Sequence, residues 1–152
     1  MKTLLVPLDF SDTTDRVLKH AEDLARALSA RLVLVHIVEP VATYVPVGAS
    51  MDVIAAAPPQ PAEVQDLSAD EARLRAVSQP LAAAGIPVEC VAVVGLAVDD
   101  ILDQAARAGA DYIVLGSHGH GALYHLFSGS VVNGVLKRAT CPVVVVPGGK
   151  KS

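Results

Sequence analysis

Three glycines fall at the spacing G-x-x-G, nine residues, then G-S: Gly116, Gly119 and Gly129, the last followed by Ser130. A glycine has no Cβ, so backbone N–H groups can close on a ligand beside it. The apolar run Tyr112–Leu115 ahead of them reads as a buried strand, and Val135–Arg138 behind them reads as helix. The stretch is therefore a strand-to-helix crossing. Gly129 and Ser130 stand where that helix begins, so free N–H groups and the positive end of the helix dipole face the same anion. This is how a phosphate cradle is built. The competing reading of the same residues is a glycine-rich loop that closes a surface turn.

The loop also carries His118, His120 and His125. No cysteine or carboxylate cluster accompanies them, which argues against a structural zinc site. His118 and His120, on either side of Gly119, could donate to phosphate oxygens; the alternative is that they are solvent-exposed. Tyr124, Leu126 and Phe127 read as residues that pack the loop onto the body. Catalytic machinery is hard to find. There is no G-x-S-x-G elbow, no lysine following the glycines as in a Walker A loop, and no nucleophile with a base beside it. Ser128 and Ser130 suit loop and cap geometry.

The elements that must position this loop follow a regular alternation. Thr3 to Leu8 is a short apolar run ending in Asp9, the pattern of a buried strand whose carboxyl end meets solvent. Ser11 or Asp12 is placed to cap a helix in which Val17, Leu18, Ala21, Leu24, Ala25 and Leu28 recur at helical spacing. A second strand spans Leu32 to Val38. From Glu39 to Glu63 the pattern lapses, with five of the ten prolines between Pro40 and Pro61, and this segment is expected to be a mobile flap. Helical spacing resumes at Leu67, Leu74, Val77 and Leu81, where Pro80 is expected to end or kink the helix. Val88–Val94 is a third strand, Val98–Ala106 a helix closed by Gly109, Tyr112–Leu115 a fourth strand, Ser130–Arg138 a helix, and Val143–Val146 a fifth strand closed by Pro147.

Such alternation predicts a single α/β domain over residues 1–152: a doubly wound, Rossmann-like, five-stranded parallel sheet of order 3-2-1-4-5. With the first strand central, the order reverses between the first and fourth strands, whose ends carry Asp9 and Gly116. A carboxylate and a phosphate cradle then line one crevice, which suits a nucleotide. Asp9 is equally placed to cap the first helix.

Composition agrees with this class. Hydrophobic residues make up 52% and aromatics only 3% of 152 residues, so the core must be built from Val, Leu, Ile and Ala, as in a parallel sheet covered on both faces. A net charge of −4 without a basic cluster argues against nucleic acid as a partner. No apolar run approaches a membrane span, and Leu4–Val6 is stopped by Pro7 and Asp9 too early for a signal peptide. Cys90 and Cys141 read as small buried hydrophobes in a reducing cytoplasm.

The chain resembles the universal stress protein family, specifically its ATP-binding branch. The match rests on Val6-Pro7-Leu8-Asp9, Val35-His36-Ile37-Val38, Gly95-Leu96-Ala97, the glycine spacing followed by Val135-Leu136, and Cys141-Pro142-Val143-Val144-Val145-Val146-Pro147. It covers the chain apart from the flap. The resemblance implies adenine held by Pro7, Asp9 and Ile37, and ribose and phosphates held by Leu115, Gly116, His118, Gly119, Gly129, Ser130 and Val131. Val132 closes this group where many ATP binders carry Ser or Thr, and His120 stands where Arg or Lys is frequent. A titrating charge at His120 predicts phosphate affinity that weakens as pH rises from about 6 to 8.

The resemblance further implies ATP, or ADP or AMP, with Mg²⁺ bound through the phosphates, and a cytoplasmic homodimer formed through Val143–Val146. The function expected is nucleotide-dependent sensing or signalling in the stress response. The alternatives are a slow Mg²⁺-dependent ATPase, for which no base is evident to activate water, and a nucleotide-free dimerising module for another protein.

Overall fold

The computed structural model describes residues 1–40, 47–48, 50–56, 65–117 and 129–148. The elements run β1 (Lys2–Pro7), α1 (Thr14–Leu28), β2 (Ala30–Val38), α2 (Met51–Ala56), α3 (Ser68–Ala83), β3 (Val88–Val94), α4 (Ala97–Ala108), β4 (Tyr112–Gly116), α5 (Gly129–Arg138) and β5 (Val143–Val146). The sheet is parallel throughout, five-stranded, in the order β3-β2-β1-β4-β5. The predicted architecture is the observed one.

Two apolar clusters sandwich the sheet. On one face Leu4, Val6, Leu32 and Leu34 pack with Val17, Ala21 and Ala25 of α1 and Leu74 and Leu81 of α3. On the other, Leu5, Val33, Val35, Ile37, Ile113 and Leu115 pack with Ile101 and Ala105 of α4 and Val131, Val132 and Val135 of α5. Alternate residues along each strand go to opposite faces. Strands buried on both sides therefore read as unbroken apolar runs rather than as alternating ones. Helices on the second face approach closely: a Cβ on Gly134 of α5 would lie 2.8 Å from Val98 Cγ2 of α4.

The amino ends of the strands are tied down by polar contacts. Asp111 accepts from Lys2 Nζ and from the Thr3 amide, both at 2.9 Å. Arg31 donates to Thr3 Oγ1 and to the Ala108 carbonyl at 2.9 and 3.0 Å. This pole fixes the sheet and leaves the carboxyl ends of the strands to form a site.

Four local expectations are corrected. α1 starts at Thr14, with Thr13 as its cap residue and no side-chain cap bond; Ser11 and Asp12 are in a turn instead, because Asp9 Oδ1 takes the Ser11 amide at 3.0 Å and the Ser11 hydroxyl pairs with Thr13 Oγ1 at 2.9 Å. Pro80 lies inside α3 without ending it. It falls in the last turn, where its missing N–H costs one bond and the Ala84 amide still reaches the Pro80 carbonyl at 3.0 Å. Within the 39–63 segment a six-residue helix, α2, forms where no regular structure was expected; the rest of the flap lies largely outside the described residues. The cysteines are half-buried rather than buried. They pack on opposite faces of the sheet, and burial pushes the Cys141 thiol up.

Candidate functional site

β1 and β4 are neighbours, with Leu4 opposite Tyr112 and Leu5 opposite Ile113, so the chain segments leaving their carboxyl ends diverge side by side. α1 follows β1 on one face and α5 follows β4 on the other. That divergence opens a crevice lined by Pro7, Leu8, Asp9, Thr13, Thr14 and Gly116, at the reversal of strand order where ligands of open α/β sheets bind.

Asp9 is 7% exposed, an unusual degree of burial for a carboxylate. One oxygen, Oδ1, is held by the Ser11 amide. The reading of Asp9 as a helix cap is thereby replaced by that of a brace for the turn ahead of the helix. Phe10, next in the chain, has φ +55°, in the left-handed region that an aromatic residue rarely enters. The turn is held in this form from outside: His36 meets the Phe10 ring edge to face at 4.8 Å, and the Arg73 guanidinium lies 4.1 Å above that ring.

Gly116 is where the crevice needs a residue without a side chain. A Cβ there would come 3.1 Å from Val17 Cγ2 and 3.3 Å from Thr13 Oγ1. Beyond it, the Ser117 amide bonds the Val146 carbonyl at 2.9 Å and fixes the exit of β4 against β5. Inside the crevice Thr14 Oγ1 is buried and has no hydrogen-bond partner among the described residues. A buried hydroxyl left unpaired is costly, and it marks a place where a ligand or a water is wanted.

Of the residues expected to hold a nucleotide, Pro7, Asp9 and Gly116 line the crevice together. Ile37, Leu115, Val131 and Val132 have their side chains in the core cluster of the second face, so only their backbone groups are available to a ligand. Gly129 and Ser130 open α5, as the spacing required of a helix start. His118, Gly119, His120 and His125 lie outside the described residues. Thr13, Thr14, Phe10 and His36 were not singled out as site residues. The one signal for them in the sequence is a histidine embedded in the apolar run Leu32–Val38, which asks for a buried polar partner. No group of three metal-ligating side chains occurs among the described residues.

Asp9 and Gly116 thus meet at the switch point of a doubly wound sheet, the place where open α/β sheets bind their ligands. The chain belongs to the Universal stress protein family, whose family profile matches residues 1–147. It is 35% identical over 147 residues to Universal stress protein A homolog 2 of Coxiella burnetii, covering 95% of this chain and 94% of that one. Among solved structures it is similar to universal stress protein UspA from Lactobacillus plantarum, at 26% identity and a TM-score of 0.71, covering 95% and 97% of the two chains. The universal stress protein from Archaeoglobus fulgidus in complex with dAMP has the same fold at 24% identity and a TM-score of 0.62, again over 95% and 97% of the chains.

Proposed function

We propose that this protein binds an adenine nucleotide, ATP by preference, in the crevice between β1 and β4 and acts as a homodimeric sensor or signalling protein in the stress response. The observation that carries the reading is the meeting of Asp9 and Gly116 in one crevice at the reversal of strand order. A carboxylate there accepts hydrogen bonds from an amino or hydroxyl group, which suits the base or ribose end of a nucleotide. Phosphates would be repelled by Asp9 and by Asp15 in the first turn of α1. They fit better at the start of α5, whose first turn carries no acidic residue and begins at Gly129. The family relationship supports this reading, as does the dAMP complex of the Archaeoglobus protein.

The cradle asked of a nucleotide fits what the chain offers. Gly116 keeps one wall open, Thr14 Oγ1 awaits a partner, and the backbone of Ile37, Leu115, Val131 and Val132 is fixed by side chains locked in the core. His118 and Gly119 are proposed to join the same cradle. Mg²⁺ would be held by the phosphates and would supply charge neutralisation there. Hydrolysis is proposed to be at most weak and the location cytoplasmic; among the described residues no helix is long and apolar enough to cross a membrane.

The test is displacement of a fluorescent ATP analogue by ATP from wild type and from Asp9→Asn. The substitution is expected to weaken binding about tenfold, the loss of one charged hydrogen bond. Equal affinity in the two proteins would remove Asp9 from the site.

A further inference from the structure

His36 is buried, 7% exposed, near the carboxyl end of β2, on the face that Leu32 and Leu34 turn toward α1 and α3. It is not a generic core residue. Nδ1 lies 2.8 Å from the Leu8 carbonyl oxygen, and because a carbonyl can only accept, Nδ1 carries the proton. Nε2 lies 3.5 Å from Asp70 Oδ1 in the first turn of α3. The ring edge packs on Phe10, and Arg73, one helical turn after Asp70, covers the outer face of Phe10. His36 of β2 and Arg73 of α3 thus converge on the Leu8–Ser11 turn, the turn that presents Asp9.

That turn needs holding. Leu8 is the last residue joined to β2 through its amide, at 2.8 Å from the Val35 carbonyl. The next residues leave the sheet, and Phe10 adopts a left-handed conformation that a non-glycine residue avoids unless its surroundings impose it. Without a donor on the Leu8 carbonyl, that carbonyl would be buried and unpaired, and the peptide between Leu8 and Asp9 would be free to rotate. Rotation there swings the Asp9 carboxylate away from the Ser11 amide and out of the crevice.

We propose that His36 is a positioning residue for the crevice: its Nδ1–H on the Leu8 carbonyl, together with the Phe10–Arg73 stack, fixes the turn that presents Asp9. α3 thereby becomes part of the site without touching a ligand. The consequence for binding rests on the nucleotide reading above, while the consequence for the turn does not.

Two polar substitutions separate the two ring nitrogens. The amide of His36→Asn reaches where Nδ1 stands and can still donate to Leu8; the longer His36→Gln places its amide where Nε2 stands, toward Asp70, and leaves Leu8 without a donor. Two quantities are read on each protein: hydrogen exchange at the Ser11 amide relative to core amides of β1, and the dissociation constant for ATP. His36→Asn is expected to stay within about twofold of wild type on both. His36→Gln is expected to exchange the Ser11 amide about tenfold faster and to bind ATP about tenfold more weakly, with the β1 amides unchanged. Equal behaviour of the two variants, or Ser11 protection at the wild-type level in His36→Gln, would overturn the proposal. If wild type itself binds no ATP, the nucleotide reading fails, and Ser11 exchange alone decides the role of His36.

Discussion

Gly116, at the end of β4, lies so close to Val17 of α1 that a methyl group on it would come 3.1 Å from Val17 Cγ2. The first helix therefore packs directly on the backbone that enters the glycine loop, and a Cβ there would require Val17 or Thr13 to give by a few tenths of an ångström. Gly116→Ala is expected to destabilise the protein by about 1 kcal/mol, the cost of modest overpacking, and to weaken nucleotide binding. Urea unfolding with the slope unchanged measures the first effect and titration the second. Wild-type values for both would mean that Val17 and Thr13 yield freely.

Thr14 Oγ1 is a buried hydroxyl with no hydrogen-bond partner among the described residues. Thr14→Val keeps the shape and removes the unsatisfied group, so the free protein should gain about 1 kcal/mol of stability. If a ligand supplies the missing partner, the same variant should also bind more weakly. A destabilised Thr14→Val would show that the hydroxyl is satisfied in solution.

Acid should loosen the opposite pole of the sheet. The Lys2 ammonium, with the Thr3 amide, holds the Asp111 carboxyl below the usual carboxylate range. A carboxyl lowered on folding stabilises the folded state above its ordinary value and loses that contribution as pH falls through the lowered one. Asp111→Asn should therefore be less stable than wild type at neutral pH, and the gap should close as pH falls below about 4. A gap that is constant down to about pH 2 would show that the carboxyl titrates alike in both states.

At the two ends of β5 the Ile113 N–H bonds the Pro142 carbonyl at 3.0 Å and the Ser117 N–H bonds the Val146 carbonyl at 2.9 Å, which turns the even-numbered residues toward β4. In a parallel ladder the odd-numbered Val143 and Val145 then present N–H and C=O to the free edge. If the proposed homodimer forms there, Val145→Pro should yield a folded monomer, as read by light scattering. A dimer that persists in Val145→Pro would move the interface elsewhere.

The fold was legible because each strand is a run of mostly apolar residues and helices α1 and α4 each have a clear apolar stripe, as in Val17, Ala21 and Ala25 or Ile101 and Ala105. The convergence of Asp9 and Gly116 followed from strand order alone. Less legible were features decided by side-chain contacts between distant segments. Nothing in the spacing from Asp9 to Thr14 shows that Asp9 would brace Ser11 and delay the helix to Thr14. The left-handed Phe10 is equally hidden, since it depends on His36 and Arg73. Pro80 was read as ending or kinking the helix because sequence alone does not show that its ring falls in a last turn still closed by the Ala84 amide.

The central claim, that the crevice and the start of α5 hold an adenine nucleotide, is tested most directly by calorimetric titration of nucleotide-stripped protein with ATP, ADP and AMP in Mg²⁺. Gly129→Val, at the first residue of α5, serves as the control. Saturable binding with ATP preferred, lost in a Gly129→Val protein that still unfolds cooperatively, is the predicted result. Well-folded wild type that takes up none of the three nucleotides would contradict it.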